Sequence, residues 1–317
     1  MPNSKFKPVD PGIYPRFSGI TTFSRLPFVE KPAKNELDIA ILGIPTDAGT
    51  TYRPGSRFGP RALRESSVLC RNYNPSLSVG IYKDLKIADV GDVAVNPVSL
   101  PKTLEAIKNK TRELKNSGSK IIALGGDHSV LTPLLTETVA HEGEITLIHF
   151  DAHTDTGDET WGEKFHHGTP IRRLIENKSV NPKKIFQIGI RGPLGDAGQL
   201  TWTLDQGVSI LSMDEFHVSG ARDKFFDKIR KVAGKGKIYI SFDVDGIDPA
   251  FAPGTGTPVV GGLTSVEALS CIRALKGLNL IGGDVVEVSP AYDHADITSL
   301  LGAALAFEMM SLIALKA

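Results

Sequence analysis

The sequence contains little cysteine. Only two cysteines occur among the 317 residues, Cys70 and Cys271, and they lie far apart with no CxxC pair. This usage argues against a disulfide framework and against a thiolate zinc site. We expect both thiols to be reduced core residues of a cytoplasmic protein.

The chain also lacks excess charge and targeting features. Its 36 basic and 36 acidic residues give a formal net charge of zero, which provides no electrostatic reason to bind nucleic acid or an anionic membrane. The first residues, MPNSKFKPVD, do not resemble a secretory signal. We see no 18-residue apolar run, so we expect no spanning helix. Neither a nucleic acid nor a membrane is expected as a partner.

The apolar content is sufficient for one large core, since 41% of the residues are hydrophobic. Residues 1–36 are rich in Pro, Lys and Phe without a clear period, and they predict an irregular N-terminal arm. Tyr14, Phe17 and Phe23 make the arm too apolar for simple disorder, so we expect it to pack on its own body or on a neighbouring subunit. Residues 37–317 are predicted to form a single catalytic domain.

Eight short apolar runs rich in Ile and Val predict strands that are buried on both faces. They occupy residues 38–44, 86–90, 120–126, 145–150, 185–190, 208–212, 237–242 and 280–288. Helical patterns lie between or after them, for example at 99–117, 264–277 and 299–315. This alternation predicts a parallel sheet covered by helices. An open three-layer sheet and a (β/α)₈ barrel both fit the pattern.

Polar residues lie at the ends of four of these runs. They are Asp127-His128-Ser129, Asp151-Ala152-His153-Thr154-Asp155, Asp243-Val244-Asp245 and Glu287. Both architectures place an active site at the carboxyl ends of parallel strands, so these groups are expected to meet. Taken alone, the GGDHS segment would be a turn and helix cap, and a DxD pair would be an ordinary loop.

The spacing of these groups points to metal ions. Residues two apart share a face on an extended backbone, so Asp151, His153 and Asp155 can converge, as can Asp243 and Asp245. So many carboxylates would repel one another unless cations lay among them. Mixed carboxylate and imidazole donors suit Mn²⁺, Fe²⁺, Ni²⁺ or Zn²⁺, and their number exceeds the need of one ion. The sequence therefore predicts a two-metal site.

Four segments resemble the signature of the ureohydrolases, the family of arginase, agmatinase, proclavaminate amidinohydrolase and the guanidino-acid hydrolases. These segments are GGDHS (125–129), DAHTD (151–155), SFDVDGIDPAFAPGTGTP (241–258) and EVSP (287–290). The similarity runs from about residue 38 to the C-terminus. The stretches at 52–64 and 16–27 resemble the agmatinase and guanidino-acid branch more than arginase.

The resemblance implies a three-layer αβα sandwich around an eight-stranded, mainly parallel sheet. It also implies two divalent ions, Mn²⁺ in most members and Ni²⁺ in some, and a homo-oligomer, either a trimer or a hexamer. Carried over to this chain, one ion would be held by His128, Asp151, Asp155 and Asp243. The other would be held by Asp151, His153, Asp243 and Asp245, with Asp151 and Asp243 bridging.

The expected reaction is hydrolysis of a guanidino group to urea and an amine. Two cations can lower the pKa of a bridging water from 15.7 toward about 7, which gives a local nucleophile. Glu287 is expected to hold the planar guanidinium cation and Asp245 to protonate the leaving nitrogen. His167 in FHHGTP matches the family's proton shuttle. His149, inside a predicted strand, is expected to be a satisfied core residue.

The sequence does not decide between several guanidino substrates. Trp161, His166 and Arg191 are candidate substrate-binding residues, Arg191 as a partner for a carboxylate. The loop TGDETWGEKFH (156–166) lacks the pattern by which arginase holds its amino acid, so agmatine or an ω-guanidino acid such as 4-guanidinobutyrate is expected.

Two other functions are alternatives. They are a nickel hydrolase of guanidine or a biguanide, and a non-catalytic subunit of a mixed oligomer. A nicotinamide oxidoreductase is disfavoured, because GPLGDAG (192–198) has the wrong glycine spacing. A single-zinc deacetylase-type hydrolase would need fewer ligands than this chain supplies.

Overall fold

A computed structural model describes residues 4–315 and contains one eight-stranded sheet. Its strands are β1 (Ile39–Gly43), β2 (Ile87–Asp92), β3 (Lys120–Leu124), β4 (Ile145–Phe150), β5 (Ile185–Ile190), β6 (Ser209–Ser212), β7 (Lys237–Asp243) and β8 (Asn279–Val286). Their order is β2-β1-β3-β8-β7-β4-β5-β6, and every neighbouring pair is parallel. All eight predicted strands are confirmed, and the sheet is open rather than closed into a barrel.

Helices cover both faces of the sheet. They are α1 (Gly59–Ser66), α2 (Ile81–Asp84), α3 (Leu100–Asn116), α4 (Leu131–Glu142), α5 (Pro170–Glu176), α6 (Gly198–Asp205), α7 (Met213–Phe216), α8 (Ala221–Ala233), α9 (Ser265–Arg273) and α10 (Ile297–Ala314). A small hairpin pairs Tyr73–Asn74 with Val79–Gly80. The predicted helices at 99–117, 264–277 and 299–315 are confirmed as α3, α9 and α10. The three-layer αβα fold is therefore confirmed.

Strand β1 shows why the sheet is covered on both sides. Its residues Ile39 and Ile41 belong to one buried apolar cluster, whereas Ala40 and Leu42 belong to another. Successive side chains on a strand point to opposite faces, so each face has its own core. This explains why the strands read as continuous apolar runs.

Helix α10 corrects one expectation about the sequence. Its 18 residues are long and apolar enough to cross a membrane by length and composition, contrary to our expectation that no such run exists. However, 72% of the helix is buried inside the protein, where it packs on β8, α1 and α9. A helix that is apolar on all sides and buried in this way is a core helix.

The part of the N-terminal arm that the structure describes lies along edge strand β2. Phe23 and Leu26 are buried, the Phe23 amide donates to Asp89 Oδ2 at 2.8 Å, and Phe28 forms a parallel bridge with Asp89. Phe17, in contrast, is 93% exposed. The first three residues of the predicted arm, and residues 316–317 of the predicted domain, lie outside the described part.

Candidate metal centre

The strand order gathers the predicted polar groups at one place. Strands β3, β8, β7 and β4 are the four neighbours at the middle of the sheet. Their carboxyl ends carry, in that order, His128, Glu287, the pair Asp243 and Asp245, and the segment 151–155. All the predicted metal ligands therefore lie at or just beyond the carboxyl ends of adjacent strands.

The side chains converge for a different reason from the one predicted. Strand β4 ends at Phe150, so residues 151–155 do not continue as an extended chain, and Asp245 lies in the 3₁₀ turn Val244–Gly246. Asp155 has a φ of +53° and Glu287 a φ of +63°. This left-handed conformation is uncommon for residues other than glycine, and it is typical of backbone strain at a functional site.

The first cluster surrounds the imidazole of His128. Its Nδ1 atom lies 2.9 Å from Asp155 Oδ2, 3.1 Å from Asp151 Oδ2 and 3.4 Å from Asp243 Oδ2. All four side chains are buried. The structure thus brings together the complete set of residues predicted for the first ion.

The second cluster contains His153, Asp151 and Asp245. His153 Nδ1 lies 3.0 Å from Asp245 Oδ2 and 3.3 Å from Asp151 Oδ1. Asp151 therefore faces one cluster with each of its two oxygens, as a bridging ligand should. The second bridging residue, Asp243, lies near His128, and its Oδ1 accepts the Asp245 amide at 2.8 Å. That Asp243 is also a ligand of the second ion stays a prediction.

The electrostatics of the clusters fit divalent ions. Burial raises the pKa of Asp243 well above its usual range, and the charges of Asp245 and Asp151 raise it further. Burial alone would lower the pKa of His153, but Asp245 and Asp151 raise it to about 12. These groups compete strongly for protons, and metal ligands must give up those protons when a cation binds. Oxygen and imidazole donors are suited to a first-row divalent metal.

His149 was expected to be a satisfied core residue, and this was wrong. Its Nε2 lies 3.1 Å from Asp151 Oδ2 without an aligned hydrogen bond, while its Nδ1 lies 3.1 Å from the Gln187 amide nitrogen. His149 precedes Asp151 by two positions. Residues two apart on an extended chain share a face, so this spacing already indicates a place for His149 beside Asp151.

Glu287 and His167 form a pair beside the first cluster. Glu287 Oε1 accepts the His128 amide at 2.9 Å and lies 3.0 Å from His167 Nδ1. Its Oε2 is buried and has no hydrogen-bond partner among residues 4–315. His167 Nε2 lies 2.7 Å from Thr51 Oγ1. Burial alone would lower the pKa of His167, but the bond to Glu287 raises it to about 9.

A cavity of about 460 Å³ opens onto both clusters. It is lined by Thr51, His153, Asp155, Gly157, Thr160, Trp161, His166, His167, Gly168, Gln199, Asp243, Asp245 and Thr257. Trp161, which is 83% exposed, lies on its lining. His166 is half-buried, and burial lowers its pKa to about 4. Among the described residues, none that lines this cavity is Lys or Arg.

Arg191 is not a substrate-binding residue, and this prediction was wrong. Its guanidinium donates to main-chain carbonyl oxygens at 2.6 to 3.2 Å. These belong to Gly189, Asp245, Gly246, Ile247, Val259 and Val260. All five of its N–H donors are occupied, so none is left for a carboxylate. Arg191 instead fixes the loop that carries Asp245.

The profile of the family described as "Arginase family" matches residues 37–311. The chain belongs to the arginase family. Guanidinobutyrase of Pseudomonas aeruginosa is 41% identical over 99% of this chain and 98% of its own length. The mitochondrial agmatinase of Gallus gallus is 43% identical over 93% of this chain and 86% of its own length.

Solved structures of the family share the fold. Proclavaminate amidino hydrolase from Streptomyces clavuligerus superposes with a TM-score of 0.90 at 37% identity, covering 96% of this chain and 100% of that one. Arginase from Bacillus caldovelox gives 0.74 at 26% identity, covering 87% of this chain and 98% of that one. The predicted family is confirmed, and with it the predicted enzyme class, a hydrolase of C–N bonds in linear amidines.

Proposed function

We propose that this chain is a binuclear-metal amidinohydrolase that converts the guanidino group of a small substrate to urea and an amine. The observation that carries the proposal is the buried Oε2 of Glu287 beside the His128 cluster, which has no hydrogen-bond partner in the described part of the chain. A buried carboxylate oxygen without a donor is costly, and a planar cation with several N–H groups would satisfy it. When bound, two divalent ions would lower the pKa of a shared water and make a nucleophile available at neutral pH.

The chain's own residues position and protonate the substrate. Glu287 orients the guanidinium through Oε2, since its other oxygen is already held by His128 and His167. Asp245 takes up a proton that the attacking water loses and delivers it to the leaving nitrogen. The Thr257 hydroxyl, 3.2 Å from Asp245 Oδ2, helps to hold this carboxylate at the cavity wall. His167 passes protons towards solvent through the hydroxyl of Thr51.

For the metal, we propose Mn²⁺, with Ni²⁺ as the alternative. Four carboxylates and two imidazoles surround the two positions, and donor sets rich in carboxylate suit Mn²⁺. Equal activity after loading with either ion would refute a preference for manganese.

For the substrate, we propose agmatine. The cavity has no Lys or Arg on its described lining to neutralise a carboxylate, and the predicted anchor Arg191 is occupied. A substrate tail that ends in an amine places no anion in this acidic cavity. An ω-guanidino acid is the second candidate, because a guanidinobutyrase is similar over 99% of this chain.

Urea release tests both proposals. Protein loaded separately with Mn²⁺ and Ni²⁺ would be assayed with agmatine, 4-guanidinobutyrate, arginine, guanidine and a biguanide. We expect the highest kcat/KM with agmatine and no release by Asp151→Ala, which should still fold. A preference for 4-guanidinobutyrate would refute the proposal that the substrate ends in an amine. If no substrate released urea, the alternative of a non-catalytic subunit would be favoured.

We also propose a cytoplasmic homo-oligomer, either a trimer or a hexamer. The exposed side chains of Phe17 and Ile20, 93% and 81% accessible, support a contact with another subunit. Light scattering would measure the mass, and Phe17→Ser with Ile20→Ser should reduce it. A monomeric parent chain would contradict the proposal.

A further inference from the structure

Asp284 is a fully buried carboxyl group in the middle of β8 that no metal-ligand motif contains. The register between β8 and β7 places it directly beside Ser241. Ser241 Oγ donates a hydrogen bond to Asp284 Oδ1 at 2.7 Å, and the Tyr239 hydroxyl is a further neighbour of this carboxyl group. Among the described residues, none forms a well-aligned hydrogen bond with Oδ2. A carboxyl group in the core of a sheet is costly, so its presence calls for a function.

The neighbour of Ser241 on the other side is His128. The Nε2 atom of His128 lies 2.9 Å from Ser241 Oγ. A serine hydroxyl has one proton, which Ser241 gives to Asp284. Its oxygen must therefore accept a hydrogen from His128, and Nε2 must carry that hydrogen.

This hydrogen-bond direction decides what the other ring nitrogen can do. A histidine must be neutral to bind a divalent ion, and a neutral imidazole carries one proton. With that proton on Nε2, the lone pair of His128 Nδ1 is free for the metal. Nδ1 is the atom that lies 2.9 to 3.4 Å from Asp155, Asp151 and Asp243. If the Ser241 proton turned towards His128 instead, Nδ1 would be protonated and Asp284 would lose its donor.

We propose that Asp284 is a positioning residue that acts through Ser241 to fix His128 as an Nδ1 ligand. We call the hydrogen bonds from His128 to Ser241 and from Ser241 to Asp284 the relay. The relay raises the affinity of the first cluster for its ion and leaves the affinity of the second cluster, with His153 and Asp245, unchanged. The inference rests on the metal centre of the proposed function and not on the substrate.

The test is a measurement of Mn²⁺ binding to the full chain by equilibrium dialysis with metal analysis, without substrate. In Asp284→Asn and in Ser241→Ala, we expect one of the two ions to bind 10- to 100-fold more weakly, the usual effect of losing a group that orients a ligand. The double variant should be no weaker than either single one, because both act through the same relay. Ser241→Thr keeps the hydroxyl and should restore the affinity.

Glu308→Gln provides the matched control. Glu308 is also a buried acid, in α10, but it pairs with Arg273 and Asn74 and is not part of the relay. Its variant should bind both ions like the parent chain. Metal-free thermal midpoints of all variants would establish that each one folds.

Several results would overturn the inference. These are unchanged binding in Asp284→Asn, additive losses in the double variant, an equal loss of both ions, or the same loss in Glu308→Gln. A parent chain that does not bind two ions would also overturn it, together with the metal centre. Binding of two ions without urea release would refute the proposed function alone.

Discussion

Among single residues, Glu287 is the one whose two carboxylate oxygens have clearly different surroundings. One carboxylate oxygen is fixed by the His128 amide and lies beside His167, whereas the other is buried and forms no hydrogen bond with any residue that the structure describes. Its left-handed backbone, with a φ of +63°, turns the chain immediately after β8. The position of this side chain is therefore set before any substrate binds, as efficient electrostatic stabilisation requires.

Glu287→Gln should lower kcat/KM for the preferred guanidino substrate by about 100-fold, the effect of losing one charge-assisted bond of about 3 kcal/mol. Urea release would give the rate, and metal analysis should still find two ions per chain. The same substitution at the distant Glu308 should leave the rate unchanged. Unaltered kinetics in Glu287→Gln would show that the free oxygen does not contact the substrate.

The sequence predicted most of the site at this scale, but not its geometry. The identities of His128, Asp151 and Asp245 follow from the spacing of carboxylates and imidazoles after strands. The positive φ of Asp155 does not, because nothing local marks an aspartate as left-handed. The predicted role of Arg191 in substrate binding was wrong because its partners are main-chain carbonyls of distant loops. A pattern of side chains in the sequence does not reveal such partners.

Among elements, the turn after β3 must pass very close to the loop after β1. A Cβ atom on Gly126 would lie 1.8 Å from Thr46 O, so only glycine fits. Gly126 O also accepts the Glu287 amide at 2.9 Å. This glycine therefore joins three loops of the site through its backbone alone.

Gly126→Ala should reduce the free energy of unfolding by about 3 kcal/mol, at the upper end of overpacking effects, and should also weaken metal binding. Gly195→Ala is the control, since no atom of the described residues lies within 4 Å of its added carbon. Denaturant titration would give the stabilities. Equal stability of the two variants would refute the close approach.

A second link between elements lies at the opposite end of the sheet. Glu142, at the end of α4, pairs with Lys115 of α3 and Lys237 of β7. Burial alone would raise the pKa of Glu142, but its bonds to these lysines lower it from 4.5 to about 2. Because the folded-state pKa is depressed, this stabilisation is present above pH 4.5 and is lost as the pH falls towards 2.

Glu142→Gln should therefore cost about 2 kcal/mol at pH 7, since it leaves the buried Lys115 without its charged partner. The difference from the parent chain should shrink below pH 4.5 in denaturant titrations at successive pH values. A difference that stays constant from pH 7 to pH 3 would contradict the ion pair.

At the scale of the whole molecule, the strands could be predicted from the sequence but their order could not. Runs such as ITLIHF are buried on both faces, and this composition is the same in an open sheet and in a barrel. The order β3-β8-β7-β4 depends on how the connections between strands pack against the sheet, and these contacts join residues that are far apart in the chain. The resemblance to a family, rather than any local pattern, decided between the two architectures.

Metal ions should stabilise the whole fold, because the two clusters hold carboxylates that repel one another when no cation is bound. Mn²⁺ at 100 times its dissociation constant should add about 2.7 kcal/mol of stability per site and raise the thermal midpoint. Chelation should reverse the shift. In Asp151→Asn the shift should be much smaller, and an equal shift in that variant would argue for adventitious binding.

Anomalous diffraction at the manganese edge, from crystals of the Mn²⁺-loaded chain, tests the central claim most directly. We predict two peaks at the carboxyl end of the sheet, one beside His128 and Asp155 and one beside His153 and Asp245, with Asp151 between them. A single peak, or none at this edge, would contradict a two-metal centre.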